Sequence, residues 1–484
     1  MTNRTDPADV LVGRFWLADS DEHAVPGRLT LPEGASPRLE LDQPLTPLLR
    51  EVDRGEQPEG TRSFVVADDG PLLEFLLVHG ALDDGTLVTL VDAFEQHRRV
   101  RGGLDRQWLQ AQFALLGGHV SSREELYTRV RLQLRHLDAW AALPGFALEE
   151  VDTRQGQATL AFRGSGPSPV SLHGGGRVDL EQQPEIEFSG VRGGRIGRVV
   201  WLRAVDLPPM TAEDLDRRFV TPLSSLLTLA TDTDCPPVAV EIATGSDQPW
   251  LSVHHSGLRS PAEEVRPTHR QLLPLAALGL DRVAAWLNAV EDLGPLPPVV
   301  AAAAARPAST LETQLLELAT VAEGLHRRLF AESRRLSPEQ AQTAREAVCH
   351  AVDDLDQDVR RAVEGAMKHL EEPSFPQRLM QLADCVAGAV PGVTGQTNRW
   401  RHRVTDIRNR FAHRSYGFLE TTRVAELVTV LESLRWLLTG LLLLQTGLPP
   451  AELAARIAHH QPYILFRQQA REWLPRVFQA PTDQ

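Results

Sequence analysis

The sequence predicts a multidomain α and β protein: a β-rich, largely antiparallel N-terminal region followed by an all-α helical bundle. Three observations lead there. Up to about residue 292 the chain carries short alternating apolar runs bounded by proline and glycine, the pattern of half-buried strands. A stretch rich in proline and alanine, 293–308, then interrupts it. From Ser309 onward apolar residues recur at helical spacing, with capping signals at fixed offsets.

In order, strands are expected at 11–17, 27–32, 37–42, 62–67, 72–79, 86–91 and 110–116. Residues 127–135 (Tyr-Thr-Arg-Val-Arg-Leu-Gln-Leu-Arg) alternate cleanly, which places Arg129, Arg131 and Arg135 together on a solvated face. Strands follow at 157–162, 177–180, 185–188 and 197–203. Thr211 to Thr231 reads as a helix, its start marked by a capping box of Thr211 with Asp214. Strands at 237–243 and 250–255 and a helix at 268–292 close this first region, 1–292.

Residues 293–308 are expected as the linker. Ser309 with Glu312 then forms a capping box for a helix to about Ser333. Ser337-Pro338 with Gln340 starts a second helix, which runs to about His369. A third spans 375–389, and a fourth holds Trp400 to His413 and stops near Tyr416-Gly417. The fifth, 419–446, with an unbroken leucine run from Leu441 to Leu444, is expected at the centre. A shorter helix, 449–459, completes a bundle over 309–460, and 461–484 reads as a helical appendage.

Composition narrows the function. A net charge of −14 argues against a protein that binds nucleic acid through its whole surface. Lysine occurs once, at Lys368, so arginine abundance carries no message by itself. Residues 396–414, however, hold six arginines against one acid, Asp406, a basic island suited to a polyanion. Cys235, Cys349 and Cys385 lack metal-site or disulfide spacing and read as small buried hydrophobes. No uncharged apolar run reaches membrane-spanning length, and the start lacks a signal-peptide core. A cytoplasmic protein without membrane, metal or cofactor is expected.

Residues 400–413 decide the chemistry. With Asn409 set at zero on a helical wheel, Trp400, Val404, Ile407 and Phe411 fall within about 40° of the opposite side. That stripe is core. Asn409 and His413 point away from it, with Arg408 on the flank, giving the pattern R-N-x-x-x-H. An arginine fork can hold two phosphate oxygens, and a histidine can move a proton near neutral pH.

This pattern resembles the R-x4-6-H signature of HEPN ribonuclease domains, which are small helical bundles. The layout, a long β-rich half before the bundle, resembles ApeA-type anti-phage HEPN proteins, as does the opening Gly-Arg-Phe-Trp-Leu…Pro-Gly-Arg-Leu-Thr-Leu. The resemblance implies a metal-independent RNA endonuclease acting in abortive infection, with Arg408, Asn409 and His413 catalytic. It implies a homodimer too, since one motif supplies one histidine and the reaction needs an acid and a base. RNA, with tRNA among the candidates, would be the substrate, contacted by Arg401, Arg403, Arg410 and Arg414. A phage-derived trigger would act on the N-terminal region.

The alternative is a non-catalytic HEPN-like module that binds RNA or protein or dimerises. Weaker candidates read as structural: His254-His255 point to opposite faces of a strand, Cys349-His350 lies in a helix without further ligands, and His173-Gly174-Gly175-Gly176 forms a turn. Glu323 and His326, three apart on a helix, could face the cleft, but a surface pair is the simpler expectation.

Overall fold

The computed structural model describes residues 10–45, 49–51, 64–66, 75–101, 104–152, 157–162, 164, 166–188, 194–259, 271–305, 309–412 and 421–479. The chain divides into two compact units. One comprises Met1–Ser224 with Cys235–Arg266, the other Ser225–Asp234 with Pro267–Gln484.

In the first unit the strands are β1 (Val10–Leu17), β2 (Ser20–Thr30), β3 (Arg38–Leu41), β4 (Leu49–Glu51), β5 (Phe64–Val66), β6 (Leu76–Leu82), β7 (Leu87–Arg101), β8 (Leu104–Gln110) and β9 (Phe113–Leu116). They continue as β10 (Arg129–Leu134), β11 (Phe146–Asp152), β12 (Gln157–Phe162), β13 (Val170–Ser171), β14 (Arg177–Phe188), β15 (Gly194–Val205), β16 (Pro237–Ala243) and β17 (Leu251–His254). The expected strands at 62–67 and 72–79 lie partly outside the described residues.

All pairings are antiparallel, and six strands close on themselves in the order β1-β2-β3-β8-β7-β6. Closure removes the free edges that would invite aggregation. Phe15, Leu29, Leu39, Leu41, Val78, Val88, Leu90 and Leu109 fill this barrel, none more than 2 % exposed. The first half of β7 pairs with β6 and also with β9, and its second half pairs with β8. From β9 the sheet runs on through β17, β16, β10, β15, β14 and β13.

β10 alternates as expected, with Val130, Leu132 and Leu134 buried. Its other face is only partly solvated. Arg129 lies 4.2 Å from the Trp250 ring centre, and Arg131 sits between Trp201 at 4.3 Å and Trp250 at 4.7 Å. Arg131 also donates to Glu241 at 2.6 Å. Aromatic faces and a carboxylate take the place of water around these cations.

The second unit is helical. Residues 293–308, expected as a linker, contain instead the helix Leu296–Ala304. Prolines in its first turn cost no hydrogen bond, and the alanines after them are the best helix formers. The next helix, Leu311–Leu329, is capped by Thr310, one residue later than expected. Ser337 and Gln340 form the expected capping box, but the helix ends at Ala351 and a separate one runs Gln357–Met367. The central helix, Thr421–Leu444, spreads its apolar residues over every side, as expected of a surrounded helix, with Ser433 and Arg435 buried among them. Val424–Leu444 is long and apolar enough to cross a bilayer, yet 83 % of its apolar window is buried within the protein. Of the cysteines only Cys235 is buried; Cys349 and Cys385 are exposed, against expectation.

Candidate active site

The helix Thr397–Ala412 carries Arg408 and Asn409 of the motif. Trp400 and Val404 are fully buried and Ile407 nearly so, while Phe411 is half-buried. Trp400 Nε1 donates to Ser433 Oγ of the central helix at 2.7 Å, which fixes the rotation of the motif helix. The opposite face presents His402, Asp406, Asn409 and Arg410 to solvent.

Arg408 sits on the flank, its side chain 37 % exposed. Its guanidinium carbon lies 5.1 Å from the centre of the Phe375 ring, and Nη2 is 3.8 Å from Glu323 Oε2. An aromatic face and a distant carboxylate orient the fork without consuming its donors, so hydrogen bonds to phosphate oxygens remain available. Asn409 follows, exposed. His413 and Arg414 lie outside the described residues.

Glu323 opens a polar relay that passes through the exposed Arg327 before reaching buried residues of the bundle. It accepts from Arg327 at 3.1 Å, Arg327 reaches Glu372 at 3.2 Å, and Glu372 accepts from Arg378 at 2.8 Å. Arg378 Nη1 stands 3.3 Å from His326 Nδ1, while His326 Nε2 stands 2.5 Å from Gln381 Oε1. The expected surface pair is thus half wrong: Glu323 reaches the motif arginine, but His326 is 1 % exposed and stacks on Phe330 at 5.0 Å. Both its nitrogens are engaged, Nε2 donating and Nδ1 accepting, which defines a neutral ring. Burial lowers its pKa, and the nearby arginines add to this against the Gln381 hydrogen bond. His326 therefore offers no free nitrogen for proton transfer.

The other basic candidates diverge. Arg403 donates to both oxygens of Glu426 and lies 3.8 Å from Asp406. The Glu426 hydrogen bonds raise its pKa and occupy its fork. Arg401 is half-buried, whereas Arg410 is exposed and only loosely paired with Asp406 at 3.9 Å. Phe375 had no sequence signal, because its contact with Arg408 depends on how two helices cross.

This bundle, with an outward arginine and asparagine on a core-anchored helix, is of the HEPN class: residues 316–452 match the Apea-like HEPN family. Residues 11–288, more than half of the chain, match ApeA N-terminal domain 1. The chain belongs to the ApeA-type HEPN proteins of anti-phage defence. No curated protein and no solved structure matches it.

Proposed function

We propose that the chain is a metal-independent RNA endonuclease, active as a homodimer that brings two motif helices together. The observation that carries this is the flank position of Arg408, oriented by Phe375 and Glu323 yet open to an incoming phosphate. One His413 removes the 2′-hydroxyl proton as the 2′-oxygen attacks phosphorus. His413 of the partner subunit protonates the departing 5′-oxygen as its bond to phosphorus breaks. Arg408 stabilises the phosphorane, and Asn409 orients a phosphate oxygen or the imidazole. Cleavage of host or phage RNA in response to an infection cue at the N-terminal region would give abortive infection. The protein acts in the cytoplasm, where RNA such as tRNA is available.

The Glu323 contact with Arg408 also suits a non-catalytic module that binds RNA or protein. An RNA cleavage assay in EDTA separates the two. Wild type should leave 2′,3′-cyclic phosphate ends, and Arg408→Ala or His413→Ala should lower the rate by about 10²-fold or more with folding intact. Equal cleavage by all three proteins would reject the assignment. Gel filtration with light scattering tests the dimer.

A further inference from the structure

The C-terminal appendage, residues 461–479, lies beyond the part of the chain that matches the HEPN family. Its end packs against the start of the motif helix. Gln396 N donates to Val477 O at 2.7 Å, Gln396 Nε2 to Gln479 O at 2.8 Å, and Arg399 Nη1 to Arg476 O at 2.8 Å. Gly395, at φ +56°, lets the Val477 carbonyl approach where a Cβ would overlap it. The junction is therefore close-packed rather than a loose tail.

Between the two elements runs an open groove of about 370 Å³. Buried Val477 lies at its base, and Arg399, His402 and Arg476 are exposed around it. Among the described residues Arg399 and Arg476 face no carboxylate partner. Arg403 and Asp406 line the groove as well, but Arg403 is bound by Glu426 and Asp406 lies 3.9 Å from Arg410. The uncompensated charge is thus that of Arg399 and Arg476. His402 and Asn409 are seven residues apart, which places them on one face of the motif helix about 10 Å apart along its axis. The groove is accordingly in line with the proposed reaction site.

We infer that this groove is a subsite for the RNA backbone flanking the scissile phosphate, with Arg399 and Arg476 as its phosphate contacts. The inference rests on the ribonuclease reading. Two guanidiniums around an apolar floor match a phosphodiester whose base or sugar lies against Val477 and the arginine stems. The appendage would then complete a binding site that begins on the bundle.

The test uses the full chain carrying Arg408→Ala, so that RNA is retained, and a fluorescent single-stranded RNA. Adding Arg399→Ala and Arg476→Ala should weaken binding about ten-fold and lower the salt slope by about 1.4, the share of two phosphate contacts. Arg399→Lys with Arg476→Lys should restore most of the affinity, which a mere folding defect would not allow. Unchanged affinity and slope would overturn the subsite while leaving the nuclease reading intact. Unchanged affinity with loss of the dimer would overturn it too and assign the groove to a second copy. No binding by the Arg408→Ala parent, together with no cleavage by wild type, would defeat the underlying reading instead.

Discussion

His326 shows how one residue's surroundings set its use. A histidine on an amphipathic helix could have served as catalyst or ligand, and its spacing from Glu323 left both open. What closes the question is contact with Gln381 and Arg378, both far from it in sequence, together with Phe330 one helical turn on. Since burial lowers its pKa, the unfolded chain takes up the proton first as pH falls. Its stabilising share is thus complete well above the ordinary value of 6.5 and declines below it. Thermal melts of wild type and His326→Gln should show the wild type losing more stability between about pH 6.5 and 5. That Arg408 and Asn409 lie off the core side of their helix was legible, because its apolar stripe is clean. The partners of Arg408, by contrast, come from two other helices.

At the scale of elements, periodicity and capping served the sequence well. The clean alternation of β10 and the Ser337 capping box were visible in advance, because each is set within a few residues. Features set by tertiary contact were not. The Arg–Trp stack over β10 joins strands distant in sequence, and the helix at Leu296–Ala304 was hidden by prolines that suit its first turn. The central helix exposes another such contact at Gly440, where an added Cβ would overlap Val390. Gly440→Ala should therefore lower stability by about 1–3 kcal/mol despite alanine's higher helix propensity. Denaturant unfolding measures this directly, and a gain in stability would show that Val390 moves aside without penalty.

For the whole molecule, sequence reading gave the order of β region and bundle but placed the border too simply. Asp232 shows why. It belongs to the helical unit although it lies in the chain between β15 and β16. There it accepts from Arg435 at 2.8 Å and stands 3.1 Å from His460 Nε2, all three nearly buried. Burial alone would raise its pKa, but Arg435 and His460 outweigh that and hold it below the ordinary value. Its stabilising share is present above the unfolded value of 3.8 and is lost as pH falls further. Asp232→Ala, which among the described residues leaves Arg435 with Glu432 as its carboxylate partner, should cost about 3–5 kcal/mol in denaturant unfolding at neutral pH.

The same residue has a consequence for dissection of the chain. The backbone enters the helical unit at Ser225, leaves it after Asp234 and returns at Pro267, so the two units are interlaced rather than strung in series. A fragment that begins at any point after Asp234 omits the carboxylate its own core requires. Silence of such a fragment in a toxicity assay would then speak of a missing part, not of a missing activity.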